Sequence, residues 1–221
     1  MAQLIFTARA GGTSANEFAS LNLGDNVGDS QAAVDENRRV LSDLLSQKRP
    51  VFMNQVHGDE VVEIYEENTS LITADAMITK VVGLPLVVLV ADCLPILISS
   101  TSVIGAVHAG RRGVLNGIIS KTVLAMRTLG AQELKAKIGP AICKECYEVD
   151  IEMYETAVMQ KPELATSSGL HKLDLKRAAI FELEASGVDV SDIKICTAHD
   201  SNYFSYRRDG QTGRSAGVIV L

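Results

Sequence analysis

Eleven residues constrain this fold more than any others. Val88 to Ile98 read VLVADCLPILI, an apolar run with Asp92 and Cys93 at its centre and Pro95 two residues on. The segments around it, LPLVVLVAD, PILIS and VIGAVHAG, are equally rich in Val, Leu and Ile. Strands that are apolar on both faces need a covering layer on each side. Inside such strands a polar group without a partner costs roughly 2–7 kcal/mol, and a charged carboxylate more. Either Asp92 and Cys93 are paired within the fold, or the run ends in a pocket that uses them.

The rest of the chain supplies the covering layers. LIFTARAGGTS reads as a strand entering a Gly-rich turn. DSQAAVDENRRVLSDLLSQ reads as a helix capped by Asp29 or Ser30, with Val34, Leu41, Leu44 and Leu45 on one face. VFMNQVHG, EVVEIY and DAMITK read as strands, and GVLNGIISKTVLAMRTLG as one long helix stopped by Gly130. LKAKIGPAICKECYEV reads as a strand and loop, IEMYETAVMQ and LDLKRAAIFELEASG as helices, and DIKICTAH, YFSYRR and AGVIVL as strands. This mixed order, with runs of adjacent strands, predicts an α/β sandwich of mixed sheets covered by helices rather than strict βαβ winding. No linker or charge block divides residues 1–221, so a single domain is expected.

Charge and composition exclude several classes. A net charge of −6, with no Trp and few other aromatics, argues against nucleic-acid binding by phosphate neutralisation or base stacking. The start lacks the pattern of a signal peptide, and the longest apolar stretch is broken by Gly83, Pro85, Asp92 and Pro95, so no membrane span is expected. A cytoplasmic chain follows, with its four cysteines as thiols or metal ligands rather than disulfides.

Three strand ends close on a metal-type donor beside a small or turn-forming residue: His57 in QVHG, Cys93 in ADCLP and His108 in AVHAG. Two His and one Cys form a catalytic zinc set with the fourth position open. The same residues also suit a Cys93 thiolate nucleophile with His57 or His108 as base. In either case Asp92 can orient a histidine or move a proton. Arg111 and Arg112 in HAGRRG open the long helix and suit an anion, as surface arginines in a solvated turn would also look; Arg38 lies on the first helix. CKEC offers a redox pair or half a zinc site, and its lack of an internal Gly or Pro favours a non-redox pair in a loop near the pocket. Cys196 stands alone in the sequence, and His171 and His199 read as structural or exposed. SYRRDGQTGR, from Ser205 to Arg214, offers further cations for an anion, and a hairpin with an Asp-Gly turn explains it equally well.

Taken together, GGTS, SLNLGDNVGD, ENRR, NQVHG, TADAMIT, VLVADCLPILI, GAVHAGRRG, IGPAICKECYEV and CTAHDSNYFSYRRDGQTGR resemble the YfiH-type laccase-domain family from about Ala10 to the C-terminus. The resemblance implies a sandwich-like arrangement akin to cysteine-hydrolase folds. It implies zinc at His57, Cys93 and His108, with copper a lesser alternative. It further implies phosphorolysis of adenosine, inosine, guanosine and methylthioadenosine with inorganic phosphate, together with adenosine deamination, by a monomer or small homo-oligomer. Arg38, Arg111 and Arg112 are the phosphate candidates. Arg111 stands where the family has a Trp after H-A-G, replacing an aromatic wall with a cation. A Cys- or zinc-dependent amidase acting on peptidoglycan precursors and a metal-dependent binding module are the other readings. A copper oxidase is disfavoured, because four histidines without H-x-H pairs do not furnish several copper centres.

Overall fold

A computed structural model describes residues 2–45, 48–67, 72–167 and 171–221. Its strands are β1 (Gln3–Phe6), β2 (Met53–Asn54), β3 (Val61–Glu63), β4 (Ile72–Thr73), β5 (Ala76–Thr79), β6 (Leu86–Val90), β7 (Leu94–Ser99), β8 (Ile104–Ala109), β9 (Lys135–Ile138), β10 (Asp189–Asp192) and β11 (Ser215–Val220). The helices are α1 (Gln31–Leu45), α2 (Arg111–Leu115), α3 (Ile118–Thr128), α4 (Ile151–Gln160), α5 (Leu175–Ala185) and α6 (Tyr206–Asp209). A six-stranded sheet runs β10-β9-β7-β8-β5-β3, a three-stranded sheet runs β1-β11-β6, and β2 pairs β4.

The two larger sheets pack face to face, which is why the central strands are apolar throughout. Leu86, Val88 and Val90 of β6 meet Met77, Leu97, Ile104 and Ala106 of the larger sheet. On its other face β7 turns Ile96 and Ile98 toward Ile118, Ile119, Val123 and Met126 of α3, and toward Ala178, Ala179 and Leu183 of α5. Val87 of β6 and Val218 and Val220 of β11 face Leu41 and Leu45 of α1. The order helix, sheet, sheet, helix is the expected sandwich of mixed sheets. Each fully buried Leu or Ile in it contributes about 1.5–3 kcal/mol.

Several local expectations are corrected. In α1, Leu44 is exposed and Asn37 takes the inward position. Asn37 tolerates burial because it bonds Thr13, Ser14, Ser20 and Asn22. The predicted end of that helix at Ser46 and Gln47 lies outside the described residues. The long helix is broken into α2 and α3 at Gly117, whose φ of 78° is the left-handed conformation that glycine adopts without a Cβ penalty. Only Met53–Asn54 of VFMNQVHG is strand. Beyond it, the Gln55 side chain bonds both backbone polar groups of Leu89, at 2.7 Å each, in place of a ladder. DIKICTAH is strand only at its first residue, the end of β10; the rest turns at Cys196, whose carbonyl accepts from the His199 and Asp200 amides. YFSYRR holds no strand, and SYRRDGQTGR is not a hairpin. Ser205 caps the short helix α6, and Gly210 ends it with a φ of 68°.

Candidate functional site

The corner between β6 and β7 answers the question set by VLVADCLPILI. Those strands belong to different sheets, and Ala91, Asp92 and Cys93 carry the chain from one to the other. Asp92 makes the turn with a φ of 96°, a conformation that costs a non-glycine residue about 1–3 kcal/mol. Its carboxylate accepts from the Thr197 hydroxyl and the Arg207 amide, both at 2.7 Å, and its carbonyl accepts from Ile142 at 2.9 Å. Asp92 is therefore paired, while Cys93 opens into a cleft.

The same sheet edge gathers the other two donors. His108 lies on β8, in register with Pro95 of β7, so it sits beside Cys93. His57 comes from the loop between β2 and β3, with a φ of 57°. One donor atom from each of His57, Cys93 and His108 lies within 4.8 Å of the others, and the two imidazoles meet edge-on with centroids 4.7 Å apart. Gly110 leaves the space they share. A Cβ there would stand 2.7 Å from His57 Nδ1 and 3.0 Å from the Cys93 sulfur.

Asp75, wholly buried just before β5, fixes this arrangement. Its carboxylate accepts from the amides of Val56, His57 and Gly58, and meets His108 Nδ1 at 2.7 Å. The loop that carries His57 and the ring of His108 are thus held by one side chain. With Nδ1 engaged by Asp75, Nε2 is the nitrogen of His108 left for Cys93 or a metal, the carboxylate–histidine arrangement typical of metal ligands. Burial opposes ionisation of Asp75, but the His108 bond and the Gly58 amide hold its carboxyl below the usual carboxylate range.

Charge is concentrated here. Burial pushes the Cys93 thiol up, yet the charge and hydrogen bond of His108, joined by His57, bring it down to about 6. Burial pulls His108 down, and Cys93 and Asp75 more than reverse this, raising it to about 9. Cys93 is a thiolate near neutral pH, the form in which sulfur binds metal or attacks an electrophile.

A cleft of about 530 Å³ opens over the trio, lined also by Gly24, Asp25, Gln55, Asp92, Tyr147, Tyr206, Arg207 and Arg214. That volume suits a small organic ligand. Arg207 stacks over the Tyr147 ring at 5.4 Å. Arg214 is anchored by the carbonyls of Thr212 and Gly213, and its burial lowers its pKa against the pull of Cys93 and Asp92. Of the arginines singled out by sequence, Arg111 reaches Tyr147 at the cleft wall. Arg38 bonds the Leu23 carbonyl, pairs with Asp25 at 3.2 Å and lies over Phe52. Arg112 is exposed on α2.

A profile of the family described as multi-copper polyphenol oxidoreductase laccase matches residues 3–221. The chain belongs to this family. It is 42% identical over 229 residues to a protein of Corynebacterium glutamicum named purine nucleoside phosphorylase, covering 98% of this chain and 93% of that one. A Streptomyces coelicolor protein of the same name is 41% identical over 227 residues, covering 98% and 94%. Among solved structures, the Bacillus licheniformis protein YfiH superposes with a TM-score of 0.90 at 29% identity, covering 100% of this chain and 92% of that one. A Neisseria meningitidis protein superposes at 0.91 with 33% identity, covering 100% and 94%.

In this laccase-family chain, four features of the site escaped the sequence reading. Asp75 was passed over inside TADAMIT, although an acid opening an otherwise apolar strand was a signal. Arg207 and Arg214 lie in a stretch whose cations an Asp-Gly hairpin accounts for equally well in sequence, so neither stands out there as a cleft residue. The fourth feature is that Cys196 and His199 join Cys143 and Cys146 in a second Cys/His group, whose donor atoms also lie within 4.8 Å of one another.

Proposed function

We propose that this chain is a zinc-binding purine nucleoside phosphorylase that also deaminates adenosine. The observation that carries the reading is the His57–Cys93–His108 trio, steadied by Asp75, in a cleft that Arg207 and Arg214 also line. The names of the relatives support the reaction class.

The residues fit a metal. One donor atom from each of two imidazoles and a thiolate lies within 4.8 Å of the others, and a Cβ at position 110 would crowd the His57 and Cys93 donors. An N/S/N set favours zinc, and copper also accepts such donors. Bound there, zinc supplies a Lewis acid at the cleft floor. Four histidines, two of them used in this trio, leave too few for the several centres of a copper oxidase.

In phosphorolysis a phosphate oxygen bonds to the ribose anomeric carbon as the bond to the purine nitrogen breaks. The products are ribose 1-phosphate and the protonated base. Arg207 and Arg214 hold the phosphate, with Arg111 extending the cationic wall through Tyr147. Asp92 spends both carboxylate oxygens on Thr197 and the Arg207 amide, so in this reading it positions the Arg207 turn. The chain's thiols suit the reducing cytoplasm.

The test supplies inosine or adenosine with and without phosphate to zinc-loaded protein, and follows free base, ribose 1-phosphate and ammonia. Phosphate-dependent release of base is expected, falling about 100-fold or more in Cys93→Ala. Folded, zinc-loaded protein that releases no base with phosphate refutes the phosphorylase. Release of base without ammonia from adenosine removes the deaminase alone.

A further inference from the structure

We propose that Cys143, Cys146, Cys196 and His199 form a second metal site, a closed four-donor zinc centre that staples the loop after β9 to the turn after β10. The site is separate from the trio and does not depend on the reaction assigned to it. It is a C-x-x-C pair matched with a C-x-x-H pair, fifty residues apart along the chain, which is the donor set and local spacing of structural zinc.

Each pair is shaped as a tight turn around its donors. The Cys146 amide donates to the Cys143 carbonyl at 3.1 Å, and the His199 amide to the Cys196 carbonyl at 3.2 Å. The two turns are laid side by side by a parallel bridge between Ala141 and Cys196. Across that bridge the Cys143 amide donates to the Cys196 sulfur at 3.3 Å, a bond that favours a thiolate. The Cys146 sulfur stands 3.0 Å from His199 Nε2, and the Cys143 sulfur 3.9 Å from the same ring's Nδ1. Tetrahedral zinc, with bonds of about 2.3 Å to sulfur and 2.0–2.1 Å to nitrogen, sets donors roughly 3.5–3.8 Å apart. His199 offers an ion only one of its two nitrogens, and one donor atom from each of the four residues lies within 4.8 Å of the others, so closing the set on zinc takes shifts of about 1 Å or less. All three cysteines are free thiols here.

Four protein donors leave no open position, so this centre does no chemistry on a substrate. Its effect is mechanical. Tyr147 follows directly from one turn and lines the trio's cleft. Thr197 belongs to the other and donates to Asp92 at the β6–β7 corner. The Arg208 guanidinium, next to cleft-lining Arg207, donates to the Thr197 carbonyl at 2.7 Å. Clamping the two turns fixes one wall of the cleft from outside it.

The experiment begins with Cys93→Ala, which removes the trio as a metal site and leaves three cysteines. Reduced and stripped with a chelator, this full-length variant is titrated with Zn²⁺ and separately with Co²⁺. One equivalent of zinc is expected to bind and protect all three thiols from a thiol reagent. Cobalt is expected to give the ligand-field bands of a tetrahedral site with thiolate charge transfer. Adding His199→Ala to Cys93→Ala should lose that equivalent. Stripped wild-type protein provides the check should either variant fail to fold, and it should show two cobalt sites with distinct spectra. Three thiols that stay reactive with zinc present, or a mass lower by two hydrogens marking a Cys–Cys bond in the purified protein, would overturn the proposal.

Discussion

The molecule gathers histidine and cysteine twice, and the two gatherings are built in opposite ways. His57, Cys93 and His108 are far apart in sequence and are brought together by the register of β7 against β8, by a buried carboxylate and by a glycine that keeps their centre clear. Cys143, Cys146, Cys196 and His199 sit in two turns of local spacing, joined by one isolated bridge. The first group has three donors, left-handed backbone at His57 and Asp92, and a cleft above it. The second has four donors and ordinary turns. Strain and an open coordination position are tolerated where a reaction needs them. A closed donor set on short turns is what a staple needs.

The largest effect expected of that contrast is on thiol acidity. In chelator-stripped wild-type protein, alkylation of Cys93 should rise as pH passes through about 6, because a depressed pKa leaves the thiolate in place above that value. Relative to the ordinary 9.0 this is roughly a thousandfold in acidity. His108→Gln removes the largest opposing partner and should move the midpoint back toward 9.0. Mass spectrometry of the alkylated peptide reads both. A wild-type midpoint near 9.0 would mean that the trio holds no thiolate–imidazolium pair.

Next in size is Gly110→Ala. Its Cβ would crowd both His57 and Cys93, so something at the centre must shift. A displacement of about 1 Å at a reacting centre costs on the order of 100-fold in rate. Phosphorolysis should fall by that order and one zinc should be lost, while the Cys143 group keeps its own. Elemental analysis beside turnover separates the two groups. Full activity in this variant would show that the centre has slack that the packing does not suggest.

How far the sequence disclosed this contrast depends on the range over which each feature is encoded. The sandwich was legible because strands apolar on both faces admit few architectures. The trio was legible as residue types at strand ends, and its convergence came from pairing register, which periodicity does not specify. Asp75 was missed because its partners are a histidine 33 residues on and three amides of another loop. Helical spacing from Leu41 groups Leu44 with the inner face, but it lies at the edge of that stripe and is exposed, whereas a polar residue with a full set of partners, Asn37, takes the inward position. Cys196 and His199 each looked solitary because their companions lie fifty residues back, although C-x-x-H facing C-x-x-C was there to be read. In SYRRDGQTGR an Asp-Gly pair serves a helix end as well as a hairpin, and the Ser205 cap decided which.

The smallest expected effect tests whether the two groups communicate. Thr197 follows Cys196 directly, and its hydroxyl bonds the Asp92 carboxylate one residue before Cys93. Thr197→Val keeps the shape and removes that donor, leaving one carboxylate oxygen to seek water from the cleft. A loss of about 1.5–3 kcal/mol in unfolding free energy is expected, the worth of a hydrogen bond to a charged group. Both zinc ions should remain, because neither donor set is touched. KM for phosphate should rise a few-fold with kcat nearly constant, since the Asp92 carboxylate also holds the Arg207 amide and so places a guanidinium proposed to bind the anion. Unfolding and initial-rate measurements on the same preparation give both numbers. A stability loss without any change in KM would mean that the staple and the cleft share a scaffold but not a function, since loosening the link would then leave phosphate binding untouched.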